Sequence, residues 1–86
     1  MAKAPIPVSQ MRNLGPKTER MLCEAGIKNS DELRRVGAIE AYRRLKFLAG
    51  GVSLNALYAI EASLRGVDWR ELSKEEKKEL KRRANS

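Results

Sequence analysis

The chain has 86 residues, of which 42% are hydrophobic and only 5% aromatic, and this composition favours one small helical domain over a β-sandwich. Lysine and arginine number 18 against 11 acidic residues, and the formal charge of +7 favours either an anionic partner such as nucleic acid or a basic surface without a specific partner. The absence of histidine excludes histidine-based triads and histidine metal sites, and the single cysteine excludes an internal disulfide.

The first eight residues, MAKAPIPV, contain two prolines and no helical periodicity, which predicts an extended arm over residues 1–8. Ser9 is a suitable N-cap for a very short helix over Gln10–Leu14, which Gly15 ends. Because glycine tolerates positive φ, we expect Gly15 to adopt it in the turn that follows. A helix, a tight turn and a second helix therefore form the main supersecondary unit.

Pro16 opens the second helix, since its φ is already helical and it has no N–H to lose at the first position. The helix is predicted over Lys17–Ala25, and Gly26 can take the left-handed conformation that ends it while Ile27 folds back on the last turn. Its inner face has the helical spacing i, i+3, i+4, i+7 and consists of Thr18, Met21, Leu22 and Ala25.

Three more helices are predicted before the C-terminal segment. Asn29 or Ser30 caps a short one, a longer one begins after Gly37, and the Gly50–Gly51 pair then breaks the chain before Ser53 caps the next. The three helices span Asp31–Val36, Ala38–Leu48 and Leu54–Arg65. The last is apolar or small on most of its faces, which predicts a central, buried position.

Glu61 is the one carboxylate on the apolar side of this last helix. Since a buried carboxylate needs a partner, a rim position paired with Arg65 at i+4 fits better than a proton-transfer role. Gly66 closes the helix. We expect Trp69, together with Leu72, to fill one end of the core, although an exposed tryptophan could also stack on a base.

The C-terminal segment is strongly charged. A capping box, Ser73–Glu76, precedes a predicted helix over Lys74–Ala84, in which Leu80 is the only large apolar residue. Glu79 and Arg83 are spaced for an i, i+4 ion pair. With so little apolar surface, this helix has no strong reason to be buried, and either a solvated surface or an acidic partner accounts for its charge.

The residues offer little basis for catalysis. Cys23 has no histidine to activate it and no acidic cluster has metal-ligand spacing, so we predict a non-enzymatic module without catalytic residues, metal or cofactor. Phosphate binding has more support, because the first amides of a helix lack internal partners and attract anions. The predicted nucleic-acid-binding residues lie in the turn before the second helix and on the two helices after it: Gly15, Pro16, Lys17, Thr18, Arg34, Arg35, Arg43 and Arg44.

Three blocks of sequence, in this order and spacing, resemble the C-terminal domain of the TfoX/Sxy family: RNLGPKTERMLCEAGI, DELRRVGAIEAYRRLK and GVSLNALYAIEASLRGVDWREL. The first block also resembles the second half of a helix-hairpin-helix element, with Asn13 where the first hairpin glycine usually stands. Asparagine tolerates left-handed φ, so we expect the turn to survive. The resemblance implies an all-α domain of five or six short helices with a helix-hairpin-helix-like (SAM-like) core over residues 9–72, followed by a basic helix or tail at 73–86.

The resemblance also implies a link to bacterial transcription and competence control. The charge favours a module that contacts the phosphates of duplex DNA, whereas the missing hairpin glycine favours a protein-interaction module that receives a transcription partner or a second copy. No apolar run approaches the ~20 residues that span a bilayer, and the N-terminus lacks the apolar core of a secretory signal. We therefore expect a cytoplasmic protein whose partner is neither a membrane nor a small-molecule substrate.

Overall fold

The structure, a computed structural model, describes residues 6, 8–11, 13–49 and 52–85. These residues form five α-helices, two short 3-10 helices and no β-strand, which confirms the predicted all-α class. The α-helices are α1 (Pro16–Glu24), α2 (Ser30–Val36), α3 (Ala38–Ala49), α4 (Leu54–Arg65) and α5 (Lys74–Ala84), and the 3-10 helices span Val8–Gln10 and Trp69–Glu71. The predicted Gly50–Gly51 break and most of the predicted arm lie outside the described residues.

The predicted short helix over Gln10–Leu14 is wrong. In its place, a 3-10 helix spans Val8–Gln10, and the amides of Met11 and Leu14 donate to the carbonyl groups three residues earlier, at 3.0 and 3.2 Å. Five residues hold too few i→i+4 hydrogen bonds to offset helix nucleation, so the tighter i→i+3 turns prevail. Val8 is fully buried and belongs to the core.

The ends of α1 and α4 have the predicted glycine caps. Gly26 and Gly66 adopt positive φ, 85° and 74°. The amides of the residues that follow them, Ile27 and Val67, donate to the carbonyl group five residues earlier, at 2.8 and 3.0 Å. This arrangement bonds carbonyl groups that a helix end otherwise leaves without a partner, so both predicted caps are confirmed.

α3 rather than α4 is the centre of the bundle. It packs against α1, α2, α4 and α5, whereas α4 packs mainly against α3, α5 and the second 3-10 helix. The predicted central position of α4 is therefore wrong. Its predicted burial is nevertheless confirmed on one side, since Ala62 and Ser63 are buried with Leu57 and Ile60, whereas Ala56 and Ala59 are only partly covered. The fully buried large side chains are Val8, Leu22, Ile27, Leu33, Leu45, Leu57 and Ile60.

The basic helix α5 is docked on this core through Leu80 and Ala84, which are 4% and 8% exposed, and it packs against α3 and α4. Seven of the eleven residues of α5 are exposed, which agrees with the expected solvated surface, and its two buried residues, about one turn apart, are enough to seat it on the core. On its outer surface, Glu79 accepts a hydrogen bond from Arg82 at 3.0 Å, and this bond, with a smaller contribution from the charge of Arg83, lowers the pKa of Glu79.

An ion-pair network joins the start of α5 to the end of α4. The predicted capping box forms, since the Ser73 hydroxyl accepts the amide of Glu76 at 3.1 Å and the Glu76 carboxylate accepts the amide of Ser73 at 3.0 Å. That carboxylate also pairs with Arg65, which donates to Glu61 at 2.6 Å, and the predicted Glu61–Arg65 pair is confirmed. The Ser73 amide, and after it Arg65, lower the pKa of Glu76, while the two carboxylates raise the pKa of Arg65.

Candidate functional site

A tight turn at Asn13–Gly15 leads from the first 3-10 helix into α1. Asn13 has a φ of 71° and is the one non-glycine residue with positive φ among the described residues. Gly15, in contrast, has φ −130° and ψ −173°, which is extended backbone, so the predicted positive φ at this glycine is wrong. The left-handed position lies two residues earlier, and asparagine is one of the few residues that adopts it at low cost. The predicted survival of the turn is confirmed.

The Asn13 side chain holds this turn against the segment that follows α4. Its amide nitrogen Nδ2 donates to the carbonyl of Val67 at 2.7 Å, and its Oδ1 accepts the amide of Trp69 at 3.3 Å. A glycine at this position would make neither bond. Sequence reasoning missed this tie, because its partners lie more than fifty residues away, and the one signal was a side chain with hydrogen-bonding capacity at a usual glycine position.

At the N-terminus of α1, two backbone amides find no hydrogen-bond acceptor among the described residues. Gly15 is the N-cap and makes no side-chain hydrogen bond, Pro16 has no N–H, and the amide of Glu19 donates to the Gly15 carbonyl at 2.9 Å. The described residues offer no acceptor to the amides of Lys17 and Thr18. The surface here is open, since Pro16 and Lys17 are exposed and a Cβ at Gly15 would meet nothing within 4 Å.

Arg43 and Arg44 on α3 bond to the C-terminal carbonyl groups of other helices. Arg43 donates to the carbonyls of Arg83 and Ala84 at the end of α5, at 3.0 and 3.4 Å. Arg44 donates to the carbonyl of Ala25 at the end of α1 at 3.3 Å, and to the Glu40 carboxylate at 3.1 Å. A cation at a helix C-terminus satisfies unbonded carbonyls and complements the helix dipole. Sequence reasoning missed these capping roles.

The eight predicted binding residues therefore fall into separate groups. Gly15, Pro16, Lys17 and Thr18 lie together at the start of α1. Arg44 of α3 contacts the other end of α1, at the Ala25 carbonyl. Because α1 has nine residues, this point is about 13 Å along the helix axis from the first group. Arg34 and Arg35 are exposed in the last turn of α2, which packs on α3. The arginines of α3 thus do not converge with Lys17.

The comparison with protein families decides the assignment. The TfoX C-terminal domain model matches residues 6–84, which is nearly the whole chain. The chain belongs to the TfoX C-terminal domain family. No curated protein matches this TfoX C-terminal domain.

Two solved structures of Listeria monocytogenes proteins are similar to this TfoX C-terminal domain. An uncharacterized protein in a triclinic crystal form superposes with a TM-score of 0.84 and 37% identity, covering 88% of this chain and 86% of that chain. A protein of unknown function in a tetragonal form gives a TM-score of 0.83 and 36% identity, covering 90% of this chain and 95% of that chain. The helical architecture is therefore shared with experimentally determined structures.

In this TfoX C-terminal domain, Trp69 lies next to the Asn13 turn. It is 38% exposed, whereas Leu72 is 5% exposed, so only the leucine fills the core as predicted. The ammonium of Lys77 lies over the Trp69 ring at 5.3 Å and over the Tyr58 ring at 5.6 Å, within the range of cation–π attraction. An aromatic ring and a lysine thus stand on the surface beside the turn.

The described residues contain no group of three or more side chains that could hold a metal ion. None of the helices within the described ranges combines the length and the hydropathy that a membrane crossing requires. Cys23 is exposed on α1 and forms no disulfide.

Proposed function

We propose that this TfoX C-terminal domain is a non-enzymatic module that binds the phosphate backbone of duplex DNA at the N-terminus of α1, in the setting of bacterial transcription and competence control. The observation that carries the proposal is the pair of amides at Lys17 and Thr18, to which the described residues offer no acceptor, beside the exposed Lys17 ammonium. Two amides, the positive end of the helix dipole and one full charge together suit a phosphate oxygen.

The other basic residues differ in how they support this binding. Arg34 and Arg35 are exposed in the last turn of α2, in a group separate from the start of α1, and add positive charge to the surface of the domain. Arg43 and Arg44 are engaged with helix carbonyls, so we assign them a contribution to the overall potential rather than direct contacts. Backbone contacts of this kind position a protein on DNA without reading its sequence, which predicts weak and sequence-tolerant binding.

The experiment is a salt series of duplex-DNA binding by fluorescence anisotropy. The wild type should bind at low salt with a Kd on the order of 10–100 µM, and each phosphate neutralised adds about −0.9 to the slope of log K against log salt. Lys17→Glu should weaken binding at least about fivefold. Lys78→Glu, an identical charge change at an exposed position on α5, should have a clearly smaller effect. Equal effects of the two changes would instead indicate attraction by total charge.

A second variant separates DNA binding from folding. Gly15→Asp places a carboxylate where an N-cap side chain accepts the amides of Lys17 and Thr18, and the open space around Gly15 accommodates it. The variant should be more stable by about a few tenths of a kcal/mol and yet bind DNA more weakly. Gly15→Ala fills the same space without a carboxylate and should bind as the wild type does. Undiminished binding by Gly15→Asp, or no binding by the wild type at any salt, would refute the proposal.

A further inference from the structure

A groove of about 410 Å³ lies between the end of α1 and the second half of α3. Its apolar wall is formed by Phe47 and Leu48, which are 90% and 52% exposed. Phe47 is the only phenylalanine of the chain, and it contributes almost nothing to the core. Single exposed apolar residues are common, but two adjacent ones beside a groove form a larger apolar surface, and its exposure to water is unfavourable.

The charges along this groove cancel. Glu24 and Glu40 contribute two negative charges, and Arg43 and Arg44 contribute two positive ones. The whole chain, in contrast, carries +7, so most of its surface repels a second copy of itself. The acidic residues also make the groove a poor site for phosphate. These features fit a protein partner whose contacting surface is also neutral overall and of mixed charge.

From the shape and charge of this surface, we propose that the groove is the interface through which two copies of the chain associate about a two-fold axis. A two-fold interface places the same patch on both partners, so a projecting side chain and its acceptor groove must lie on one surface. Phe47 is that projecting side chain, and its ring enters the groove of the other copy. Glu24 of one copy then pairs with Arg44 of the other, whose described contacts use two of the five N–H donors of a guanidinium.

The size of the patch predicts a weak, reversible dimer. An aromatic side chain buries about 150–250 Å², so two rings and two leucines give an interface at the low end of specific interfaces, below about 1,200 Å² in total. Such interfaces are typical of transient complexes. The dimer should therefore appear only at high protein concentration.

The test is sedimentation equilibrium without DNA, over protein concentrations on the order of 10 µM to 1 mM. The wild type should move from the monomer mass toward twice that mass. Phe47→Ser should raise the Kd of the dimer at least about tenfold, a change of about 1.4 kcal/mol in binding free energy. Because Phe47 is so exposed, this change should leave the helical circular dichroism intact. Lys78→Ser, an exposed position outside the groove, should associate as the wild type does.

NMR spectra recorded over the same concentrations locate the interface. The amide shifts that depend on concentration should cluster at the groove, around Phe47 and around Glu24. A wild type that stays monomeric up to 1 mM, a Phe47→Ser variant that associates unchanged, or shifts that cluster elsewhere would each overturn the proposal. None of these outcomes depends on DNA binding, so the two proposals fail independently.

Discussion

The Asn13 turn offers a direct test of how the candidate site is held. Asn13→Gly keeps access to the φ of 71° but removes both side-chain hydrogen bonds, to the Val67 carbonyl and from the Trp69 amide. Each bond contributes about 0.5–1.5 kcal/mol net, so we expect a loss of about 1–3 kcal/mol in the free energy of unfolding. Asn13→Ala loses the same bonds and also places a Cβ in left-handed backbone, which costs about 1–2 kcal/mol more.

Urea denaturation followed by circular dichroism gives the two free energies of unfolding. Fluorescence of Trp69, the only tryptophan of the chain, reports locally on the contact. In a domain of this size, a loss of 1 kcal/mol lowers the Tm by about 4–8 °C, so the wild type, the glycine variant and the alanine variant should separate clearly, in that order. A glycine variant as stable as the wild type would show that the side-chain bonds contribute nothing. Equal stability of the two variants would show that the positive φ is irrelevant.

Three further predictions concern α5. Arg43→Ala removes the cation that caps its last carbonyls and should cost about 1–2 kcal/mol, with faster amide exchange confined to the last turn of α5 if the cap is the cause. Leu80→Ala should cost about 2–4 kcal/mol by urea denaturation, and a loss below 1 kcal/mol would mean that α5 is not seated on the core. Because the folded state lowers the pKa of Glu76, its contribution to stability is present above pH 4.5 and is lost as the pH falls below that value. In a series of melting temperatures measured at different pH values, Glu76→Gln should reduce the drop in Tm at acidic pH, while Glu75→Gln should not.

Elements whose signals are local were predictable from the sequence. The bounds of α4 and α5 are the predicted ones, because an N-cap, an apolar period and, for α4, a terminal glycine all lie within each segment. The short helix at Gln10–Leu14 was not predictable in the same way, since i→i+3 and i→i+4 bonding make similar demands on five residues. Left-handed φ is tolerated at both Asn13 and Gly15, and the expectation of it at Gly15 is wrong because glycine permits that conformation without requiring it.

The site was less predictable than the fold. Arg43 and Arg44 occupy the polar side of α3, and from the sequence alone they resemble solvated residues open to a phosphate. Their acceptors lie on helices 40 and 19 residues away, so no local pattern could reveal them. The same is true of Asn13, whose partners lie beyond α4. Long side chains with several donors take roles that depend on which helix ends the fold brings near them.

The two ends of α1 connect these findings. The helix dipole places partial positive charge at Lys17 and Thr18 and partial negative charge at the carbonyls near Ala25. Arg44 donates to a carbonyl at the C-terminal end from within the molecule, whereas the described residues offer no acceptor to the Lys17 and Thr18 amides, and Glu19 is the acidic residue in the first turn. In the proposed function these two amides receive an external anion, while the C-terminal end borders the neutral groove at Phe47. The two proposed contacts use opposite ends of α1, about 13 Å apart along the helix axis. A dimer formed through the groove would carry two phosphate-binding turns, and attachment of one turn to a duplex would raise the effective concentration of the other.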